Sequence, residues 1–411
     1  MKTHSIDAVV IGGGPAGLAA AVEIRKSGVD VIVIEREKRL GGILNQCIHD
    51  GFGLIKFGKT LTGPEYARVY TDRVTGLEIP VLLDTQVVGL TSEKLLTATC
   101  AGRMQRYSAG AVVLAMGCRE RTRGALGIPG SRPAGIYTAG VAQYLANVQN
   151  IMVGERIVIL GSGDIGLIMA RRFTLEGRKV VAVVEKLPYP SGLTRNIRQC
   201  LEDYDIPLLL AHTVTNVRGN DRVESVTISK LNKHGQVVRS SARRVACDTL
   251  VLSVGLIPEN ELSLAAGVEL DPITQGAYVD EQCHTNVPGI FACGNVLHVH
   301  DLVDNVSEEA EIAGKAAARY VKQPQARSER IRVLAGHGVR YVLPSRLSGE
   351  ARATVSLRVA EPGRDKTVVV SNESGVVKRI RHRRVQPAEM IRFELLPDEV
   401  RNTQNIKVEL V

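Results

Sequence analysis

The chain spells one local pattern twice. Residues 6–17 read IDAVVIGGGPAG and residues 157–166 read IVILGSGDIG. Each is a short apolar run, then G-x-G-x-x-G, then a helical pattern. Each leads on to a strand-like run that closes on an acid, VIVIE at Glu35 and VVAVVE at Glu185. Gly12 and Gly161 permit the tight turn off a strand, and Gly14 and Gly163 leave the backbone bare for a pyrophosphate. Gly17 and Gly166 let a helix pack closely on the sheet. The helix N-terminus then offers unpaired N–H groups and a partial positive charge to phosphate. Pro15 suits the first helical turn, and Gly28 stops the helix AGLAAAVEIRKS that begins at Ala16. Glu35 and Glu185 stand 23 and 24 residues beyond Gly12 and Gly161, the offset of a carboxylate that accepts from a ribose hydroxyl. The pattern predicts two dinucleotide-binding units in one chain.

At 411 residues the chain has room for two or three domains. Its hydrophobic share of 44% with a mean hydropathy of +0.03 suits a globular protein, and no apolar run reaches the roughly 18 residues of a membrane span. The N-terminus enters its first strand almost at once, so no targeting segment is read. Seven cysteines are scattered, odd in number and never paired as C-x-x-C. That usage favours a reducing cytoplasm and argues against an iron–sulfur cluster held by this chain.

Charge is unevenly placed. Residues 330–411 hold 16 Lys/Arg against 9 Asp/Glu, so +7 of the net +9 lies in the last fifth. The densest patch, KRIRHRR at Lys378–Arg384, is either a solvated strand face or a docking surface for an acidic partner protein. Nucleic acid is not expected as a partner. The chain has no Trp, 4% aromatic residues and no nucleic-acid-binding motif.

Strand and helix patterns alternate through both glycine loops, which implies parallel sheets. A β-rich stretch follows the first unit at about 81–114, with DTQVVGL and RYSAGAVVLAMG as strands. GALGIPGSRPAG at Gly124–Gly135 reads as a domain crossing. The second unit closes with DTLVLSVG, and GIFACGN at Gly289–Asn295 returns the chain toward the first. A helix then runs through SEEAEIAGKAAARY, with Ser307 as its expected N-cap. QPQARSE at Gln323–Glu329 reads as a linker. Beyond it VRYVL, ATVSLRV, KTVVVS, VVKRIR and MIRFELL predict a small all-β domain of sandwich type.

Taken in order, these motifs resemble the two-dinucleotide-binding-domain flavoproteins, in particular the thioredoxin-reductase-like branch of the pyridine nucleotide-disulfide oxidoreductases. The likeness covers about Ile6–Tyr320. VIGGGPAGLAAA with Glu35 is similar to that family's FAD fingerprint. VVLAMG at Val112–Gly117 and VLSVGLIP at Val251–Pro258 resemble its two crossover motifs, and GIFACGN its second FAD motif. The resemblance implies an α/β fold of two Rossmann-like domains, the second inserted in the first. Residues 1–118 and 257–323 would bind FAD, residues 119–256 would bind NAD(P), and residues 327–411 would form the extra β domain. It implies FAD contacts at Gly12, Gly14, Pro15, Ala16, Gly17, Glu35, Arg36, Gly42, Val87, Ala115, Gly117, Gly294 and Asn295. The NAD contacts would be Gly161, Gly163, Asp164, Ile165, Gly166, Glu185 and Gly255.

Two departures bear on function. Where thioredoxin reductases carry C-x-x-C, this chain has Ala139 and Ala142, which removes a dithiol shuttle there. The family's Asp in the return motif is Asn295, whose amide still hydrogen-bonds a hydroxyl. GGILNQCIHDGFGL at Gly41–Leu54 and RPAGIYTAG at Arg132–Gly140 narrow the likeness to flavoprotein subunits of multi-component dehydrogenases. Among these are the opine, hydroxyproline and cyanide-forming amino-acid types, and the oxidoreductase associated with bacterial glycerol-3-phosphate dehydrogenase. The implied activity is hydride exchange with NAD(H), with electrons relayed to or from a partner dehydrogenase subunit. Further small electron-transfer subunits and a homo-oligomer are compatible with it. The acid at Glu185 favours NAD, although Lys186 beside it leaves NADP open.

Cys47 is the candidate protein redox group, on a segment that carries thiols in related disulfide reductases. It is either the thiol of a self-sufficient NADH oxidase or peroxidase, or a buried packing residue. A non-catalytic scaffold subunit is the remaining alternative. His298, His300 and Asp301 are read as polar loop residues rather than metal ligands, because no further ligand stands nearby in sequence. Cys283 and Cys293 are read as packing residues.

Overall fold

The computed structural model describes residues 3–324, 331–401 and 403–411. Two compact units emerge: Met1–Cys118 with Pro258–Val411, and Arg119–Ile257. The expected linker falls, from residue 325 onward, outside the described residues. Gly124–Gly135 is not the crossing it was expected to be, because it lies wholly inside the second unit. Its turns serve local pairing there: the Ser131 and Ala134 amides donate to the Val217 and Asp221 carbonyls, both at 3.0 Å.

The first unit is built on a seven-stranded sheet. Val81–Leu82, Val31–Ile34, Thr3–Ile11 and Arg103–Leu114 run parallel in that order, and Ile290–Ala292 adds a parallel strand beside the last. Leu95–Cys100 and Thr85–Leu90 complete it antiparallel. Strands covered on both faces need apolar residues throughout, and Val31–Ile34 is buried at every position. Helix Pro15–Lys26 packs on the return helix Val303–Lys322 through alanines and Gly314, where an added Cβ would lie 2.4 Å from the Ala20 carbonyl oxygen.

That return helix starts five residues earlier than expected. Its first residue is Val303 and Leu302 is the extended cap residue. Asp304 occupies the first turn and accepts from the Gly53 and Ile55 amides at 3.1 and 2.9 Å, which ties the Gly51–Gly58 loop to the helix start. Ser307 is therefore not an N-cap. It is buried within the helix, and its hydroxyl meets that of Tyr66 at 2.8 Å.

The second unit holds a five-stranded parallel sheet in the order Leu208–Leu209, Lys179–Val184, Arg156–Leu160, Thr249–Leu252, Ile136–Thr138. A separate antiparallel sheet of His212–Arg218, Ser225–Lys230 and Arg243–Ala246 accompanies it.

The C-terminal strands form two sheets. Arg346–Leu347, Ile331–Ala335, Asn405–Leu410, Gly363–Asn372 and Gly375–Val385 make one, and Val339–Leu343, Ala353–Val359 and Ile391–Leu395 the other. They enclose their own apolar core, yet they do not stand apart as a third unit. Tyr341 and Leu343 are buried with Leu96, Ala277 and Val279 of the first unit's core. The Ser345 amide donates to the Val279 carbonyl at 3.1 Å, and Arg358 reaches the Val299 carbonyl at 3.0 Å. Arg392 pairs with Asn305 at 2.6 Å and Glu308 at 2.7 Å on the return helix. Polar contacts of this density make the β-sandwich a layer of the first unit. Among the described residues, no helix is long and apolar enough to cross a membrane.

Candidate functional site

The first glycine loop joins Thr3–Ile11 to helix Pro15–Lys26. Protein closes it on two sides. A Cβ on Gly17 would sit 1.8 Å from the Gly12 carbonyl oxygen, and one on Gly12 would sit 2.4 Å from that of Ala115. Gly14 differs, since a Cβ there would meet nothing within 4 Å. In dinucleotide-binding loops of this kind the middle glycine is the one left bare for a pyrophosphate. Gly41 and Gly42 brace the loop from the next turn: the Gly41 amide donates to the Gly13 carbonyl at 2.8 Å, and both take positive φ. Glu35 is buried at the end of its strand. Its Oε2 accepts from the Gly13 amide at 2.5 Å and its Oε1 from the Glu37 amide at 2.8 Å. With one donor on each oxygen, the carboxylate keeps acceptor capacity for ribose hydroxyls.

The second loop repeats the plan in its own unit. The Ser162 amide donates to Glu185 Oε2 at 3.0 Å, and the Leu187 amide to Oε1 at 2.9 Å. Two hydroxyls are added: Ser162 at 2.6 Å and Ser191 at 2.8 Å both donate to Oε2. Asp164, at the start of helix Asp164–Leu175, accepts from the Leu193 amide at 2.8 Å and Asn196 Nδ2 at 2.7 Å. Gly166 donates to Ser253 Oγ at 3.1 Å and would place a Cβ 2.7 Å from that residue's Cβ, whereas a Cβ on Gly163 would reach its nearest neighbour only at 3.4 Å. Gly255 closes the unit at φ +99°, its carbonyl accepting from the Arg121 amide at 3.1 Å.

The return segment comes back to the first unit at Ile290–Ala292, beside Arg103–Leu114. The Gly294 amide donates to Glu309 Oε1 at 2.7 Å, and Asn295 Oδ1 accepts from the His300 amide at 3.1 Å. Both histidines of the loop reach the same carboxylate, His298 Nε2 at 2.8 Å and His300 Nε2 at 3.2 Å. Burial, with His300 alongside, pushes the His298 imidazole down to about 4, so it is neutral at neutral pH. Glu309 is held well below the ordinary carboxylate range, its own burial opposing and the two imidazoles imposing the shift.

Residues 6–360 match the pyridine nucleotide-disulphide oxidoreductase family. The chain belongs to that family. It is 29% identical over 287 residues to hydrogen cyanide synthase subunit HcnB of Pseudomonas protegens, a match spanning 64% of this chain and 60% of that protein. One of the opine oxidase subunits of Agrobacterium tumefaciens is 27% identical over 347 residues, covering 76% of this chain and 64% of the relative. The chain thus spans under two thirds of these relatives' own length. In fold it is similar to the thioredoxin reductase of T. acidophilum, with a TM-score of 0.63 at 22% identity over 77% of this chain and 98% of that one.

Family members bind FAD and NAD(P)H. The residues present suit such groups, because each glycine loop leaves its middle glycine bare and sets a buried acid at the end of the next strand. Pro15 and Ala16 open the helix behind the first loop, and Ile165 follows Asp164 in the second. Ala115 and Gly117 follow the strand Arg103–Leu114, the Ala115 amide donating to the Ile11 carbonyl at 2.9 Å. Arg36 is exposed and 3.9 Å from Glu37, and Val87 is buried in Thr85–Leu90.

Ala139 and Ala142, expected to stand where thioredoxin reductases carry the dithiol, are fully buried in the second unit's core. Cys47 ends the short helical turn Gly42–Gln46, its Sγ 3.4 Å from the Ile43 carbonyl oxygen. Burial pushes this thiol up to about 12, which opposes the thiolate that peroxide chemistry needs. Cys283 and Cys293 are buried in the core, and burial likewise pushes their thiols well up.

The sequence reading passed over Glu309, Asp304 and Tyr341. Acids at the start of a helix signal its polarity, and nothing local in the sequence shows which loop their carboxylates receive.

Proposed function

We propose that this chain is an FAD-dependent oxidoreductase that exchanges hydride with NAD(H) and relays electrons to or from a partner dehydrogenase subunit. The partner would oxidise glycerol-3-phosphate or an amino-acid-type substrate. The observation that carries the reading is the doubled glycine loop with a buried acid locked beside each copy. Two such loops in one chain give separate seats to two dinucleotides. FAD, when bound, supplies the ring that takes and gives up hydride.

The residues divide the remaining work. Gly14 admits the FAD pyrophosphate, and Glu35 accepts from its ribose. Gly163 admits the nicotinamide dinucleotide's pyrophosphate, and Glu185 sets a negative charge where a 2′-phosphate would fall, which favours NAD. The return helix aims its positive end toward the flavin side, which favours negative charge developing on reduction.

Two features support an external electron partner. The dithiol position holds buried Ala139 and Ala142, and Cys47 is kept as a thiol by burial. The relatives named above are themselves subunits. A pull-down from the native host at low salt tests the reading. Co-purification of a second dehydrogenase that reduces the bound flavin with its own substrate is expected. A chain that isolates without flavin and leaves NADH unconsumed would instead be a scaffold.

A further inference from the structure

His298 and His300 alternate along the loop after Gly294–Val296, and Glu309 lies in the second turn of the return helix. The three side chains form a cluster with little solvent contact, at 1%, 3% and 16% exposure. Each offers one donor atom, and these atoms lie within 4.8 Å of one another. His298 Nε2 lies 2.8 Å from Glu309 Oε2, and His300 Nε2 lies 3.2 Å from Glu309 Oε1. Bonds of about 2 Å set neighbouring ligand atoms about 3.3 Å apart, so an ion held by both imidazoles and by both carboxylate oxygens would keep each nitrogen–oxygen pair near the spacing seen here.

The surroundings also suit ligation. His298 Nδ1 lies 3.3 Å from the Tyr341 hydroxyl. The Tyr341 hydroxyl donates to or accepts from that nitrogen, so the ring is held with Nε2 toward Glu309 in either tautomer. The loop is held from behind, by Asn295 on the His300 amide and by the Met390 amide on Asp301 Oδ2 at 3.0 Å. The Glu309 carboxylate accepts from Gly294, which fixes its orientation. His300 Nδ1 is buried without a hydrogen-bond partner among the described residues, and Asp301 Oδ1 faces the Arg358 guanidinium at 4.0 Å.

We propose that His298, His300 and Glu309 bind a divalent transition metal of borderline softness, zinc serving as the probe. Two imidazoles and one carboxylate are a donor set for Zn²⁺ or Fe²⁺ rather than for Ca²⁺ or Mg²⁺, which prefer oxygen. Three protein ligands leave a fourth position for water or an added ligand.

The test is metal content, independent of turnover. The full chain is stripped with chelator, loaded with Zn²⁺, desalted and assayed by elemental analysis. About one zinc per chain is expected for the wild type. His300→Ala and Glu309→Gln, each checked for an unchanged circular dichroism spectrum, should each retain less than about a tenth of that. X-ray absorption at the zinc edge of the wild type should show nitrogen and oxygen neighbours, including two imidazoles. Failure of the wild type to retain zinc overturns the proposal. So do full retention by both variants and a sulfur shell, which would place the ion on cysteines instead.

Discussion

The Ser162 amide donates to the Glu185 carboxylate at 3.0 Å, across 23 residues, and so ties the glycine loop to the end of the following strand. Gly13 and Glu35 repeat the relation in the other unit at 2.5 Å. The copies differ in how many donors each acid receives. Glu35 accepts one on each oxygen, whereas Glu185 Oε2 alone accepts three. The second acid therefore acts more as a clamp on its loop.

Glu185→Gln places an NH₂ among donors and leaves a buried mismatch. It should destabilise the second unit by about 1–3 kcal/mol and weaken NADH binding about tenfold, with FAD retained. Thermal melts and NADH titration of the flavin-loaded protein check this. Unchanged NADH affinity would show that Glu185 has no part in the site.

Gly14→Ala and Gly17→Ala should fail in different ways. A Cβ on Gly14 meets no protein atom, so that variant should fold and melt like the wild type while losing FAD. A Cβ on Gly17 collides with the Gly12 carbonyl, so that variant should lose about 3 kcal/mol or more of stability. Flavin absorbance and melting curves read the two effects apart. Full FAD occupancy in Gly14→Ala would contradict the assignment.

Cys47→Ser should leave NADH-driven reduction of an artificial dye within about twofold of wild type, because a thiol pushed up to about 12 has little thiolate to offer. Alkylation of folded protein should spare Cys47 at pH 8. Rapid labelling there, or lost turnover, would restore the peroxidase reading.

Stability should decline as pH rises above 9. Burial pushes the Cys47, Cys200 and Cys247 thiols up from 9.0, to about 12, 11 and 11 respectively. In the unfolded chain these thiols ionise near their ordinary value while the folded chain keeps its protons. A raised folded pKa contributes stability that is complete below 9 and fades as pH climbs through 11 to 12. Urea midpoints measured across this range should fall, and by less in the triple serine variant.

Arg358→Ala should loosen the β-sandwich from the core beneath it. The guanidinium donates to the carbonyls of Val299, Pro387 and Ala388. Its loss should lower stability by about 2 kcal/mol, seen as faster hydrogen exchange at the Val279–Ser345 contact.

Much of this architecture was legible in the sequence because its signals are local. Glycine spacing fixes a turn, and alternation or continuous apolarity fixes a strand, so both loops and their sheets could be read directly. The start of the return helix could not, since Asp304 takes the Gly53 and Ile55 amides from about 250 residues away. Tyr341 looked like part of an independent β domain, and only packing puts it beside His298. Glu309 read as one more helix acid until the fold brought two histidines to it. The antiparallel sheet of the second unit was missed because its strands mix polar and apolar residues, as in HTVTNVR.

The account rests on two dinucleotide seats in one chain, one serving flavin and one serving nicotinamide. The most direct measurement is anaerobic titration of the purified, FAD-loaded protein with NADH, following flavin absorbance. The flavin should bleach, and Gly163→Arg, which fills the second seat alone, should abolish bleaching while the bound FAD remains. Bleaching that survives in that variant, or a wild-type flavin indifferent to NADH, would contradict it.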